Sequence, residues 1–449
     1  MPAAAVQNSH PPESRTSRRT FLKRIGQGSL VATGLGGHAP HIARAGQDDA
    51  VTLSLVLGTT GVPGADDFIV TLAQQWGQSN GVNVSVSFTR LRDLPARVER
   101  VLRGAEQRDI VELQPLEPFL YQEQLVDLSP YTPSLAFEQG GYDEWVTRTT
   151  RVRDRWLSIP IGARPLAVTF RPGLLAEAGI SDPVAQFPET WDDYVALAAS
   201  LSESTGKPAG QALRQTPFAG PAFCNAYMWG HGGSEIAPDS RDIVFASPAM
   251  QEALSTFASA WSAGFHPDGI TWDDAGLVAA MVSGDISMTI AGPEAYLQAT
   301  MTPIPGIAGD IAIAPVPAGP AGTFLPLGSR SLGIASRSAN IDVAATFLQW
   351  WCARAQYSQW LIAHQGALLP PGPALLNSPA FLPDSPLYPF MQTLDLGRTP
   401  GYSAAPSKAS AQVAGNYFVL NTFADVAKGT DASTALERGQ TLMERFYTR

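Results

Sequence analysis

The chain has 449 residues with 40 Asp or Glu against 30 Lys or Arg, a formal net charge of −10 that excludes nucleic acid and anionic lipid as partner classes. Its 45% apolar and 16% charged residues fit an ordinary globular protein with a large core and exclude a disordered chain. Cys224 and Cys352 are the only cysteines, 128 positions apart, which excludes a cysteine metal spacing and leaves open a disulfide or two buried thiols.

Ser17-Arg18-Arg19-Thr20-Phe21-Leu22-Lys23 matches a twin-arginine export signal. A glycine-rich apolar stretch from Ile25 to Gly37 follows, shorter than the roughly 18 residues of a membrane span. Ala43-Arg44-Ala45 fits a small-residue cleavage site, so residues 1–45 are read as an address and the mature chain as starting near Gly46. Those 45 residues carry six Lys or Arg and one Glu, so their removal takes the charge from −10 to −15. The expected product is exported to a bacterial periplasm. The remaining 404 residues suffice for two domains.

Val51 to Leu57 reads as an apolar strand ending at Gly58, and Asp66 to Trp76 as an amphipathic helix with Phe68, Leu72 and Trp76 on one face. Val82 to Phe88 alternates as a second strand, Leu94 to Arg103 is helical, and Asp109 to Leu113 is a third strand, with a helix near Pro118 to Gln124. This order predicts a parallel sheet with right-handed crossovers. A second alternating unit follows: a strand at Leu166 to Phe170, a helix at Pro172 to Ala178, and a helix through Leu201 that Thr190 caps, with Asp192 and Asp193 at its positive end. Further helices are predicted at Pro248 to Ala263 and Ala275 to Ser283.

Gly284 to Tyr296 (GDISMTIAGPEAY) is the most informative run. Ile286, Met288 and Ile290 alternate with polar residues as in a strand; Ala291-Gly292-Pro293 stops it, and Glu294 opens a helix. Such a junction places free N–H groups at the carboxyl end of a sheet, where α/β proteins bind small molecules, although a plain β–α connection looks similar. Pro and Gly dominate from Pro303 to Gly322. Leu332 to Ala335 is a strand, Asp342 to Gln365 one helical stretch, and the last helices run from Ala411 to Ala427 and Thr434 to Tyr447.

Catalytic patterns are scarce. His231, His266 and His364 are the histidines left after cleavage, and none sits in a metal-ligand spacing. Ser329-Arg330-Ser331-Leu332-Gly333 lacks the first glycine of a nucleophile elbow and continues as a strand. No phosphate-binding loop or dinucleotide fingerprint occurs after residue 45, and no cofactor is expected. A glycosidase pair of carboxylates stays open on counting alone. Ten tryptophans and eleven tyrosines offer flat faces on which sugar rings stack. Tyr227 and Trp229 before Gly230-His231-Gly232-Gly233, Trp272 before Asp273-Asp274, and Tyr417 read as loop or element-end aromatics. Trp76, Trp261, Trp350 and Trp351 read as core.

The order of motifs resembles the sugar-type extracellular solute-binding proteins of ABC importers. Gly162 to Ile180 is similar to that family's strand and following helix, and Pro188-Glu189-Thr190-Trp191-Asp192-Asp193 to its Pro-x-Thr-Trp-Asp-Glu helix start. Gly284 to Tyr296 resembles its Gly-x-x-Ala-Met-x-x-x-Gly-Pro segment, and Ile313 to Gly322 with Gly333 to Ser336 complete the order. The resemblance implies an α/β fold of two lobes with a hinge and an interlobe ligand cleft, residues 46–163 plus 329–376 forming one lobe and 164–328 plus 377–449 the other. It implies a monomer that captures a saccharide or sugar derivative, without catalysis or a bound metal, and delivers it to permease transmembrane subunits.

The matching positions imply ligand contacts at Gln114 and Glu117, Arg164, Trp229 with Gly232 and Gly233, Trp272 with Asp273, Gly292-Pro293-Glu294, Ser329 and Arg330, and Tyr417. Arg164 stands where an acidic residue is common, and Glu294 where tryptophan is frequent. Arg164 and Arg330 are therefore candidates to clamp an anionic group, or Arg164 pairs with Glu294 and shapes the cleft. The competing readings are a secreted carbohydrate-active hydrolase or lyase, and the same fold holding an opine, polyamine, phosphodiester or metal chelate.

Overall fold

The computed structural model describes residues 51–239 and 242–447; the export motif and the cleavage site lie outside them. Strand β1 (Thr52–Gly58) pairs in parallel with β2 (Asn83–Thr89) on one edge and β3 (Ile110–Leu113) on the other. Parallel neighbours require a crossover. Helix α1 (Ala65–Asn80) supplies the first, burying Ile69, Leu72 and Trp76 and ending at Gly81, whose φ of 69° favours glycine. Helix α2 (Leu94–Leu102) supplies the second, with Leu94, Val98 and Val101 facing Val56 and Val111. A short helix α3 (Glu117–Leu120) follows β3.

Strand β4 (Ile159–Arg164), absent from the sequence reading, is buried at every position. Two residues later β5 (Ala167–Phe170) begins a different sheet, so the chain crosses between sheets at Pro165-Leu166. After a short helix at Pro172–Glu177, where one was predicted, helices α4 (Trp191–Thr205), α5 (Ala219–Gly230), α6 (Pro248–Gly264) and α7 (Asp274–Ser283) follow. Thr190 caps α4 as expected, its hydroxyl accepting from the Asp193 N–H at 3.2 Å.

Strand β6 (Met288–Ala291) then leads through Gly292 into α8 (Pro293–Met301), with Pro293 at the first helical turn as predicted. β6 and β7 (Ala312–Ala314) both flank β5, antiparallel to it. The second sheet thus departs from a simple parallel repeat. Its strand β6 is also covered on both faces: Ser287 and Thr289 are as buried as Ile286, Met288 and Ile290, so the alternation does not mark a solvent face.

Strand β8 (Gly328–Ile334) returns to the first sheet and inserts between β3 and β4, antiparallel to both. The first sheet therefore runs β2-β1-β3-β8-β4, with a register irregularity between Arg330 and Ser331. Sequence patterning placed only the end of β8, from Leu332. The predicted Asp342 to Gln365 helix is two, α9 (Ile341–Cys352) and α10 (Arg354–Ala363), broken at Ala353. The Ala411 to Ala427 stretch is likewise α11 (Lys408–Gly415) and α12 (Phe418–Ala427), broken at Tyr417 with φ 57°. Helix α13 (Ala432–Tyr447) ends the described chain.

Each of the two larger sheets packs against a hydrophobic core. Val56, Leu94, Val98, Leu113 and Leu125 fill the first. The second is aromatic: Trp191 meets Tyr227 edge-on at 5.0 Å, and Phe257 meets Phe423 at 4.9 Å. Tyr227 and Trp229 are not loop residues. Both lie on α5, with Trp229 in its last turn; the helix is largely apolar and buried at every position except Pro221. Cys224 and Cys352 are both buried and unpaired. No described helix is long and apolar enough to cross a membrane.

Candidate functional site

A cavity of ≈ 180 Å³ lies between the ends of the two sheets. The first sheet contributes Thr59 and Thr60 after β1 and Arg92 after β2; the second contributes Phe218, Asp274 and Glu294; Arg164, the last residue of β4, completes it. Two hydrogen bonds run between segments on its two sides. Arg92 Nη1 donates to Asp273 Oδ2 at 2.7 Å, and Gln298 Nε2 donates to the Gly61 carbonyl at 2.6 Å.

Beneath the cavity sits a buried charge network. Glu112, on β3, is fully buried. Its Oε1 accepts from Arg330 Nε at 2.7 Å and its Oε2 from Arg330 Nη2 at 2.7 Å, a bidentate pair. The Gly58 N–H and Gln114 Nε2 donate to the same carboxylate at 2.9 and 3.2 Å. Burial opposes the charge on Glu112, but Arg330, Arg164 and the Gly58 N–H together hold its pKa below the usual carboxylate value. Burial likewise opposes the Arg330 charge, and Glu112 more than offsets it.

Arg164 is in a different situation. It is 2% exposed, and its Nε and Nη2 have no hydrogen-bond partner among the described residues. Burial, then the neighbouring Arg330, lower its pKa against the pull of Glu294, Glu112 and Asp274. Its guanidinium carbon stands 5.9 Å from the centre of the Phe218 ring. Glu294 faces the cavity half-buried; burial raises its pKa, with Arg164 pulling the other way. Asp274 is raised by burial too, and is anchored by the Thr216 hydroxyl and by the Ala219 N–H at 2.7 Å.

The structure brings some of the expected contacts together and separates others. Arg164, Asp273, Gly292 and Glu294 line the cavity, and Pro293 starts α8 directly behind it. Arg330 lies below, its Nε and Nη2 committed to Glu112, and Ser329 is buried beside it in β8. Gln114 and Glu117 flank Glu112: the Gln114 N–H donates to Glu117 Oε2 at 2.7 Å, and burial pushes the Glu117 pKa up to about 7. Tyr417 is held near Glu117 and Asp274; burial, then those two carboxylates, raise its pKa.

Trp272 stacks on His266 at 4.7 Å, outside the cavity lining. Trp229 is 1% exposed and packs edge-on against Tyr402 at 5.7 Å, away from the cavity. Gly233 is packed against the core, where a Cβ would fall 2.3 Å from Met250 Sδ, and Gly232 makes the left-handed turn before it with φ 80°.

Sequence reasoning did not single out Glu112, Arg92, Phe218 or Asp274. Glu112 carried one signal, a lone acid inside an apolar strand, which must find a partner when buried. No group of three or more metal-ligating side chains occurs among the described residues.

Two α/β lobes with a cavity between the ends of their sheets are the architecture of the two-lobed periplasmic binding proteins. The chain belongs to the bacterial extracellular solute-binding proteins, whose family profile matches residues 63–356. A probable ABC transporter-binding protein of Deinococcus radiodurans is 24% identical over 323 residues, 69% of this chain and 73% of that protein. The fold is that of the GacH receptor of Streptomyces glaucescens, solved unliganded and with acarbose (TM-score 0.74, 18% identity, 89% of this chain and 99% of that one). It is equally that of a Thermotoga lettingae solute-binding protein bound to α-D-tagatose (TM-score 0.74, 17% identity, 89% and 100%).

Proposed function

We propose that the protein captures a saccharide or sugar derivative between its lobes and delivers it to the permease of an ABC importer. The step is binding and hinge closure, with no covalent chemistry. The observation that carries this reading is the cavity itself. Both sheets supply its walls, and it presents hydrogen-bonding charge at Arg164, Glu294 and Asp274 beside the apolar face of Phe218. Sugars offer hydroxyls to such groups and carbon faces to such rings. The sugars bound by the Streptomyces and Thermotoga relatives support the same class.

The lobes are proposed as residues 46–163 with 329–376, and 164–328 with 377–449. The protein is proposed to be a periplasmic monomer, exported on its twin-arginine motif and cleaved near Ala45. Closure presents both lobe rims to the permease together, so the loaded form is the one recognised.

A thermal-shift screen against sugars, sugar acids, polyamines and peptides tests the reading. Ligand that binds the folded state alone stabilises it by about 2.7 kcal/mol at a hundredfold excess over Kd. At least one carbohydrate is expected to raise the melting temperature without being turned over. A response to amines or peptides alone, or the appearance of sugar cleavage products, overturns it.

A further inference from the structure

Arg164 and Arg330 are adjacent buried guanidiniums with opposite circumstances. Arg330 spends the edge formed by its Nε and Nη2 on the Glu112 carboxylate, at 2.7 Å for each bond. Arg164 has the same edge, Nε and Nη2, without a partner among the described residues. Two unpaired donors on a buried cation are costly, and such an edge matches a carboxylate in geometry as well as charge.

The protein's own acids do not fill that role. Asp274 and Glu294 attract Arg164 electrostatically but make no hydrogen bond to its Nε or Nη2. The Asp274 oxygens are engaged by Thr216 and Ala219. The backbone is built to hold Arg164 where it is. Gly328 lies opposite it in the β4–β8 ladder, and a Cβ there would come 3.0 Å from the Arg164 Cβ and 2.5 Å from the Phe218 ring.

We propose that the solute is a sugar acid, whose carboxylate is taken by the Nε–Nη2 edge of Arg164 while Glu294 accepts its hydroxyls. This rests on the saccharide reading above and narrows it. One uncommitted cation facing two carboxylates favours a monoanion over a phosphate dianion. Both Arg164 donors are enclosed in this arrangement, so the carboxylate reaches them with the lobes apart and is sealed in as they meet.

Titration calorimetry with hexuronic and aldonic acids, their neutral parent sugars and hexose phosphates tests this on the unaltered protein. At least one sugar acid should bind about 100-fold more tightly than its neutral parent, as expected for a charged bidentate contact. Arg164→Gln should abolish that difference, and Arg164→Lys should keep only part of it. Equal affinity for acid and parent, or tighter binding of a neutral sugar or a hexose phosphate, overturns the proposal and leaves saccharide capture standing. Binding of none of these sugars, with a non-carbohydrate solute bound instead, overturns both. The comparison of acid with parent on the unaltered protein decides the matter even if the Arg164 variants fold poorly.

Discussion

Arg330 and Glu112, 218 positions apart in sequence, meet as a bidentate pair at 2.7 Å that ties β8 to β3 beneath the cavity. Each is nearly or wholly buried. Removing one partner of such a pair strands the other charge away from water, which costs about 3–5 kcal/mol. Glu112→Ala is expected to lose that much in urea unfolding. Glu112→Leu combined with Arg330→Met is expected to recover most of it, because no charge is then left unpaired.

The pH dependence of stability should carry a signature from Glu235. One of its oxygens has no partner, and burial pushes its pKa up to about 7, with the Gly401 N–H opposing. A carboxyl raised in the folded state stabilises below its unfolded value near 4.5, and that contribution is lost as pH rises through about 7. Glu235→Gln should therefore match the parent protein at pH 4 and exceed it at pH 8 by as much as about 3 kcal/mol, measured by denaturant unfolding at both pH values. Glu117 keeps a parallel share of the dependence in both proteins, since it too is raised to about 7.

The contact between Arg92 and Asp273 joins two sides of the cavity at 2.7 Å. Both side chains are partly exposed, so solvent and salt screen the pair. Arg92→Ala should weaken solute binding modestly, about 2- to 5-fold, mainly through faster release. Raising the salt concentration should shrink the difference between variant and parent, read by stopped-flow fluorescence.

Trp229 and Trp272 should separate stability from the cleft rim. Trp229→Ala opens a hole in a close-packed aromatic core and should cost about 3–5 kcal/mol, with unchanged affinity in the folded fraction. Trp272→Ala, which removes a half-buried ring stacked on His266, should cost under about 1.5 kcal/mol. Chemical denaturation paired with titration of each variant checks both.

Local chemistry was legible in the sequence and long-range pairing was not. The Thr190 cap, the Pro293 helix start and the strands around Leu55, Val86 and Val111 were readable because each depends on a few neighbouring residues. The place of β8 between β3 and β4 was not, since nothing near Gly328 encodes which strands it will join. Trp229 stands at the end of α5, consistent with the element-end reading, but the largely apolar α5 has little helical periodicity to show that both it and Tyr227 are buried. Arg164 was recognisable as out of pattern, but only the structure separates it from Arg330. Sequence offered two arginines as equivalent clamps, and the fold commits one of them to Glu112.

The most direct test of solute capture between the lobes is hydrogen–deuterium exchange with and without a saturating saccharide ligand. The account predicts slowed exchange on both sides of the cavity at once, around Thr59-Thr60 and Arg92 from one sheet and around Phe218, Asp274 and Gly292 from the other. Stoichiometric binding with protection confined to one lobe, or lying outside these segments, would contradict it.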